Sequence, residues 1–228
     1  MKGMISQPRY LPTFNYLQRI YQSEIFVILD DVQHQRRCVE HRNKIINNDK
    51  EFWLSIPIER KKTSRPLIQD MIIQSDFIEE HHLMIKQAYS KCRYYEDDLF
   101  KRIYNMQQLN FVAFFQASLK NIFDLFNLKM PEIILSSTLN TESTGSKKLA
   151  DICNKTGINL YISGPNGRNY LNGSDFHNTQ ILFHDFLFPT YSQTSKVFIP
   201  WLCWLDGYFN EGKEFVYKQI TNPMRLVN

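Results

Sequence analysis

The sequence predicts an α/β fold, a mostly parallel sheet with flanking helices and a helical insertion in the middle of the chain. Three observations predict it. Residues 3–29 run strand, loop, helix and buried strand; the same rhythm returns after Pro131; and the stretch between, about 76–128, is dominated by helical periodicity. A strand followed by a helix and a second buried strand is the sequence form of a βαβ unit, whose strands are parallel because the helix crosses over. A length of 228 residues fits one such domain over 1–228, with the insertion inside it.

Each element has its own warrant. Residues 3–6 form a short apolar strand stopped by Gln7-Pro8, and Pro12 keeps the chain out of helix until Thr13, a candidate N-cap. Phe14, Leu17, Ile20 and Tyr21 then recur at helical spacing. The run at 25–29 is continuous and rich in β-branched and aromatic residues, as a strand covered on both faces must be. Residues 52–58 read as a third strand, 59–66 as a charged exposed loop, and 71–73 as a further short strand. Ser75 or Asp76 can cap a helix through Phe77, Ile78, Ile85 and Tyr89; two more helices follow near 95–107 and 110–126. The Phe111, Phe114, Phe115, Leu119, Ile122 and Phe126 stripe of the last is a core face. Beyond Pro131 come a strand at 132–136, a helix at 147–156 closed by Gly157, and a strand at 159–162 leading into a Ser-Gly-Pro-Asn-Gly turn. A strand at 182–186 and a helix over 198–210 complete the order.

Composition excludes several classes. With 43% hydrophobic and 22% charged residues the chain can fill a core and is not a disordered polymer. No apolar run reaches the roughly 18 residues of a membrane helix, and Gln7-Pro8 follows the start too soon for a signal sequence, so the expectation is a soluble cytoplasmic protein with no membrane span. The four cysteines are scattered, which predicts reduced thiols, and neither they nor the six histidines show ligand spacing, so no metal is expected. Charge is uneven: residues 1–65 carry 12 Lys/Arg against 7 Asp/Glu, the remainder 15 against 16. An anionic ligand would therefore prefer the N-terminal third. Nucleic acid is a weaker prospect, since no reader motif is present; the basic loop at 60–65 is the one feature that would suit an aminoacyl-tRNA donor.

In an open parallel sheet, ligands bind beyond the carboxyl ends of the strands. The loops expected there start at Gln7, Asp30 and Ser163. The first offers Gln7 as an amide, Arg9 as a cation and Tyr10 as an aromatic wall, stiffened by two prolines; the competing reading puts Tyr10 in the core. In the second, Asp30 and Asp31 point apart because an extended chain alternates sides, so one faces the site and the other serves structure. The facing one could bind sugar hydroxyls, contact Mg²⁺ or act as a general base. Arg36, Arg37 and Arg42, with Asn43, follow closely, and guanidinium forks suit phosphate oxygens. Cys203 could be a nucleophile, but no partner base is visible and core packing is the better reading.

The residues Gln7-Pro8-x-Tyr10-Leu11-Pro12, Leu29-Asp30-Asp31-Val32-Gln33 with Arg36-Arg37 and Arg42-Asn43, Trp53-Leu54-x-x-Pro57, Tyr161-x-Ser163-Gly164-Pro165, Tyr191-x-Gln193 and Phe198-x-Pro200-x-Leu202-x-x-Leu205-Asp206 resemble, in order and spacing, the WbqC-like proteins. The resemblance implies a link to bacterial O-antigen and other surface-polysaccharide synthesis, and transfer of an acyl or aminoacyl group such as glycine to an amino sugar. It departs at Cys203, where that family often has Ser, and at Thr13, where an aromatic residue is usual. A fainter likeness of the first βα unit to nucleotidyltransferases lacks their H-x-G-H signature, and the cofactor and acyl donor stay unknown.

The resulting expectation is a transferase acting on a nucleotide-linked amino sugar. Arg36, Arg37 or Arg42 would hold the diphosphate, and Asp30 or Asp31 would orient the sugar or take the ammonium proton. Ser163 and the Gly164 backbone would polarise the acyl carbonyl. Gln7, Arg9, Tyr10, Gln33, Asn43, Tyr191 and Gln193 would complete the substrate-binding set. The alternative is a sugar-nucleotide-binding or assembly protein without chemistry.

Overall fold

The computed structural model of the chain describes residues 1–35, 38–59, 66–74, 77–105 and 108–228. Its strands are β1 (Lys2–Ser6), β2 (Ile25–Ile28), β3 (Arg42–Asn47), β4 (Lys50–Ser55), β5 (Glu132–Leu135), β6 (Leu160–Ser163), β7 (Gln180–His184) and β8 (Leu226–Val227). Six form one sheet in the order β5-β2-β1-β6-β7-β8, parallel throughout except where β8 pairs with β7. The expected α/β class with a mostly parallel sheet is what the chain adopts.

The helices are α1 (Phe14–Tyr21), α2 (Phe77–Tyr89), α3 (Leu99–Ile103), α4 (Phe111–Leu125), α5 (Gly145–Thr156), α6 (Trp204–Glu211) and α7 (Lys213–Thr221). From β1 the chain passes through α1 to β2 and on to β5, building the sheet one way; α5 then carries it back past β1 to β6 and β7. Crossovers keep one hand, so reversing the direction of growth puts the crossover helices on opposite faces. The core divides accordingly. Met4, Phe26 and Ile28 pack with Leu17 and Ile20 of α1, Phe115 and Leu119 of α4 and Trp204 of α6. Their strand neighbours Ile5, Ile25 and Val27 pack on the other face with Leu149, Ile152 and Cys153 of α5. Period-two alternation in two adjacent, doubly covered strands thus accounts for both layers.

Several elements differ from their sequence reading, each for a local reason. Arg42 and Asn43 open a strand, not a loop: β3 and β4 form an antiparallel hairpin around Asn48 and Asp49, whose φ angles of 51° and 59° are those of a tight turn with both central residues left-handed. The predicted strand at 52–58 begins earlier and stops at Ser55, short of Pro57, which has no N–H to give a ladder. Residues 71–73 make only isolated bridges, Ile72 to Asn110 and Ile73 to Ile58. Helix α3 is shorter than its predicted span. Helix α6 starts at Trp204 because Trp201 is left-handed, φ 62°, which breaks a helix before it can begin at 198. Gly157 ends α5 in the left-handed conformation as expected, φ 69°. Thr13 occupies the N-cap of α1, but its hydroxyl donates to Asn15 Oδ1 and makes no capping bond. The proposed caps Ser75 and Asp76 lie outside the described residues.

Candidate functional site

Where the sheet reverses its growth, between β1 and β6, the flanking chains leave in opposite directions and a crevice opens beyond the strand ends. A cleft of about 620 Å³ occupies that place. Its walls come from the loop after β1 (Ser6, Gln7, Arg9), one face of α1 (Asn15, Arg19), the loop after β2 (Leu29, Val32, Gln35), the first turn of α5 (Gly145, Lys148) and the loop after β6 (Ser163 to Gly167), with Tyr170 and Trp201 also lining it. The loops expected to converge on one sheet edge do so.

The loop after β1 is held at both ends. Tyr16 Oη donates to Gln7 O at 2.7 Å, Tyr10 N donates to Glu40 O at 2.7 Å, and Asn43 Nδ2 donates to Leu11 O. This clamp sends Gln7 and Arg9 to the cleft and Tyr10 the other way. Tyr10 is in the core, hydrogen-bonded to His81 Nδ1 at 2.8 Å and edge-on to Phe77 and Tyr104, so it is no wall of the cleft.

Two cations dominate the cleft. The guanidinium carbons of Arg9 and Arg19 lie 5.0 and 5.9 Å from the Tyr16 ring centre. Arg19 is only 4% exposed, and its Nε has no hydrogen-bond partner among the described residues. Burial, and then the like charge of Arg9, bring its pKa from 12.5 down to about 10. No carboxylate among the described residues forms an ion pair with either arginine. A cation this buried without a counter-ion is costly to the ligand-free protein, and an entering anion would relieve that cost. Gly164 permits the close approach: a Cβ there would sit 3.2 Å from Arg19 Nη1. One at Gly167 would sit 2.1 Å from Ser163 Oγ, so the turn folds back on Ser163 only with glycine at this position.

The two aspartates do not point apart as alternation predicted: both carboxylates reach the Ser136 hydroxyl, at 3.0 Å from Asp30 Oδ1 and 2.5 Å from Asp31 Oδ1, because the chain leaves its extended conformation after β2, and neither side chain lines the cleft. Asp30 is buried and accepts from Ser137 N at 2.9 Å and Ser137 Oγ at 2.8 Å, tying the end of β2 to that of β5. Asp31 turns toward α5, where Lys148 Nζ meets its Oδ2 at 2.7 Å, while Ser136 Oγ lies 2.5 Å from Oδ1. Lys148 lines the cleft, so Asp31 reaches the wall through that pair. Ser163 is buried at the base, its Oγ directed to Gly164 O at 3.1 Å.

Other predicted site residues are placed elsewhere. Gln33 is exposed and bridges to Leu67. Arg42 stacks 4.2 Å from the Trp53 ring centre and donates through Nε to Cys38 O. Asn43 is buried in backbone bonding to Leu11 and Lys44. Tyr191 Oη and Gln193 Nε2 donate to Asp206 Oδ2 at 2.7 and 2.9 Å, with Tyr89 Oη on Oδ1 at 2.9 Å. None of these lines the cleft; they brace the frame around it. Arg36, Arg37 and the basic loop at 60–65 lie outside the described residues. The Cys203 thiol is buried, and burial pushes its pKa up to about 12, so it is a packing residue and a poor nucleophile. Arg19 is a candidate site residue that the sequence reading did not select; its signal was the Asn15/Arg19 pair, four residues apart on the first helix after the Gln-Pro loop.

The protein Rv1507c of Mycobacterium tuberculosis, described as uncharacterized, is 24% identical over 219 residues, 93% of this chain and 95% of its own length. No solved structure matches the chain at a significant level. Residues 7–217 match the WbqC-like protein family, a span that takes in four of the six sheet strands and nearly all of the cleft wall, and the chain belongs to that family.

Proposed function

We propose that the cleft binds a nucleotide-linked amino sugar and transfers an acyl or aminoacyl group, such as glycine, to its amine, in the cytoplasmic synthesis of a surface polysaccharide. The observation that carries the binding half is Arg19, a buried cation without a carboxylate partner among the described residues, beside Arg9 at the reversal point of a parallel sheet. Counting only parallel strands along the chain, the spatial order is third, second, first, fourth, fifth, the order of doubly wound sheets that bind nucleotides at that crevice. The transfer half is supported by family resemblance.

Each wall then has a task. Arg9 and Arg19 hold the diphosphate in place of the anticipated Arg36, Arg37 and Arg42. To Asp31, which does not line the cleft itself but pairs with the lining Lys148, this reading assigns the proton released as the amine attacks the acyl carbon. In that step the nitrogen–carbon bond forms, the donor's leaving group departs with the electrons of its bond to the acyl carbon, and Asp31 receives the ammonium proton. Ser163 and the Gly164 backbone border the acyl end.

One observation favours a second reading, ligand binding without chemistry: among the described residues lining the cleft there is no His, Cys or carboxylate. Mass spectrometry separates the two. A uridine diphosphate-linked amino sugar incubated with the protein and cell extract should gain the mass of the transferred group, and the Asp31→Asn variant should lose that gain while keeping its ligand-induced rise in melting temperature. A thermal rise with no new mass for the unaltered protein would establish the binding role.

A further inference from the structure

We infer that His34, Glu40 and His41 form a divalent transition-metal site, of the kind that takes Zn²⁺, beside the cleft. One ligand atom from each of the three lies within 4.8 Å of the others. Glu40 is 1% exposed; its Oε2 bonds His34 Nδ1, and its Oε1 has no partner among the described residues. His41 Nδ1 is likewise buried and without a partner among the described residues, and the two imidazoles meet edge to face with ring centres 4.7 Å apart. Two buried acceptor-capable atoms without partners among the described residues, in a cluster this close, are unfavourable unless something with positive charge joins them.

The backbone fixes all three residues independently of any ion. His34 N donates to Pro66 O at 2.9 Å, Glu40 O accepts from Tyr10 N at 2.7 Å, and His41 O accepts from Ile56 N at 2.8 Å. Three ligands anchored to three separate segments are preorganised, so an ion has little ordering left to do. Two imidazole nitrogens and one carboxylate suit zinc or cobalt and not calcium or magnesium, which prefer all-oxygen shells. Three protein ligands also leave a tetrahedral ion one open position. The group neighbours the cleft through Gln35, which lines it, and through Tyr10, next to Arg9. The inference is independent of the proposed function.

The test uses the full chain, stripped with chelator and desalted. Titration with Co²⁺ should give the visible bands of a low-symmetry ion at one equivalent, and elemental analysis after Zn²⁺ equilibration and desalting should find one zinc per chain. His41→Ala and Glu40→Gln should each weaken binding by about 100-fold or more, since losing even an outer-sphere partner costs 10- to 100-fold. Glu40→Gln keeps the size of the side chain, so it guards against simple misfolding, which circular dichroism checks. His177→Ala, at an exposed histidine, should bind as the unaltered protein does. Substoichiometric zinc, or undiminished binding by both folded variants, would overturn the inference.

Discussion

Arg19 is a buried cation in the cleft wall that is carried at a cost to stability. Its pKa of about 10 in the fold, against an ordinary 12.5, means that between those values the unfolded chain binds more protons than the native one. Stability attributable to Arg19 therefore rises with pH across that window, and at neutral pH the burial of its charge costs on the order of 3 kcal/mol. Arg19→Met keeps the apolar stem against Tyr16 and removes the charge. Its ligand-free melting temperature should rise by roughly 6–12 °C, given about 2–4 °C per kcal/mol for a chain of this size; a fall in calorimetric midpoint would show that the guanidinium is held by favourable contacts. Legibility at this scale was limited. Alternation misled at Asp30 and Asp31, whose carboxylates both converge on the Ser136 hydroxyl, a partner distant in sequence. Tyr10 could not be read directly either, because its choice of side depends on His81 and Tyr104, distant in sequence. The pairing of His34 with Glu40 and His41 depends on a loop conformation that no spacing rule encodes.

Among the elements, those whose burial is local were legible. The continuous apolar run of β2 and the amphipathic face of α4 each announce their packing, and Gly157 marks the end of α5. Elements set by backbone sign or by distant partners were not: the turn at Asn48 and Asp49 lacks the usual glycine, and Trp201 gives no hint of its left-handed backbone. That backbone has a use. A bulky residue with positive φ is strained, and such strain collects at ligand clamps. Trp201 is 44% exposed, lines the cleft and is backed by Phe188 with ring centres 4.8 Å apart. Trp204 is buried and Trp53 lies under Arg42, so a ligand entering the cleft reaches Trp201 directly. Saturating nucleotide sugar should quench intrinsic fluorescence in the unaltered protein, and Trp201→Phe should abolish the quench. Equal quenching in that variant would place the ligand elsewhere.

At the scale of the whole molecule, strand order locates the site. Parallel βαβ rhythm was visible at both ends of the sequence, and the rule that ligands gather at strand ends then selected the loops at Gln7 and Ser163, which do share the cleft. The rhythm does not disclose the order of strands, and that order is what puts β1 beside β6 and brings α1 with Arg19 against the Gly164 turn. The basic character of the N-terminal third was legible as a sum; its focus on Arg9 and Arg19 required the fold. Calorimetric titration with inorganic pyrophosphate tests this central claim most directly, since the probe carries the anion and nothing else. Binding should be measurable with the unaltered protein, weaken with added salt, and fall by about 10- to 100-fold in Arg9→Ala and in Arg19→Met, as expected for losing charge-assisted hydrogen bonds to phosphate. Equal affinity in all three proteins, or no binding by any of them, would contradict it.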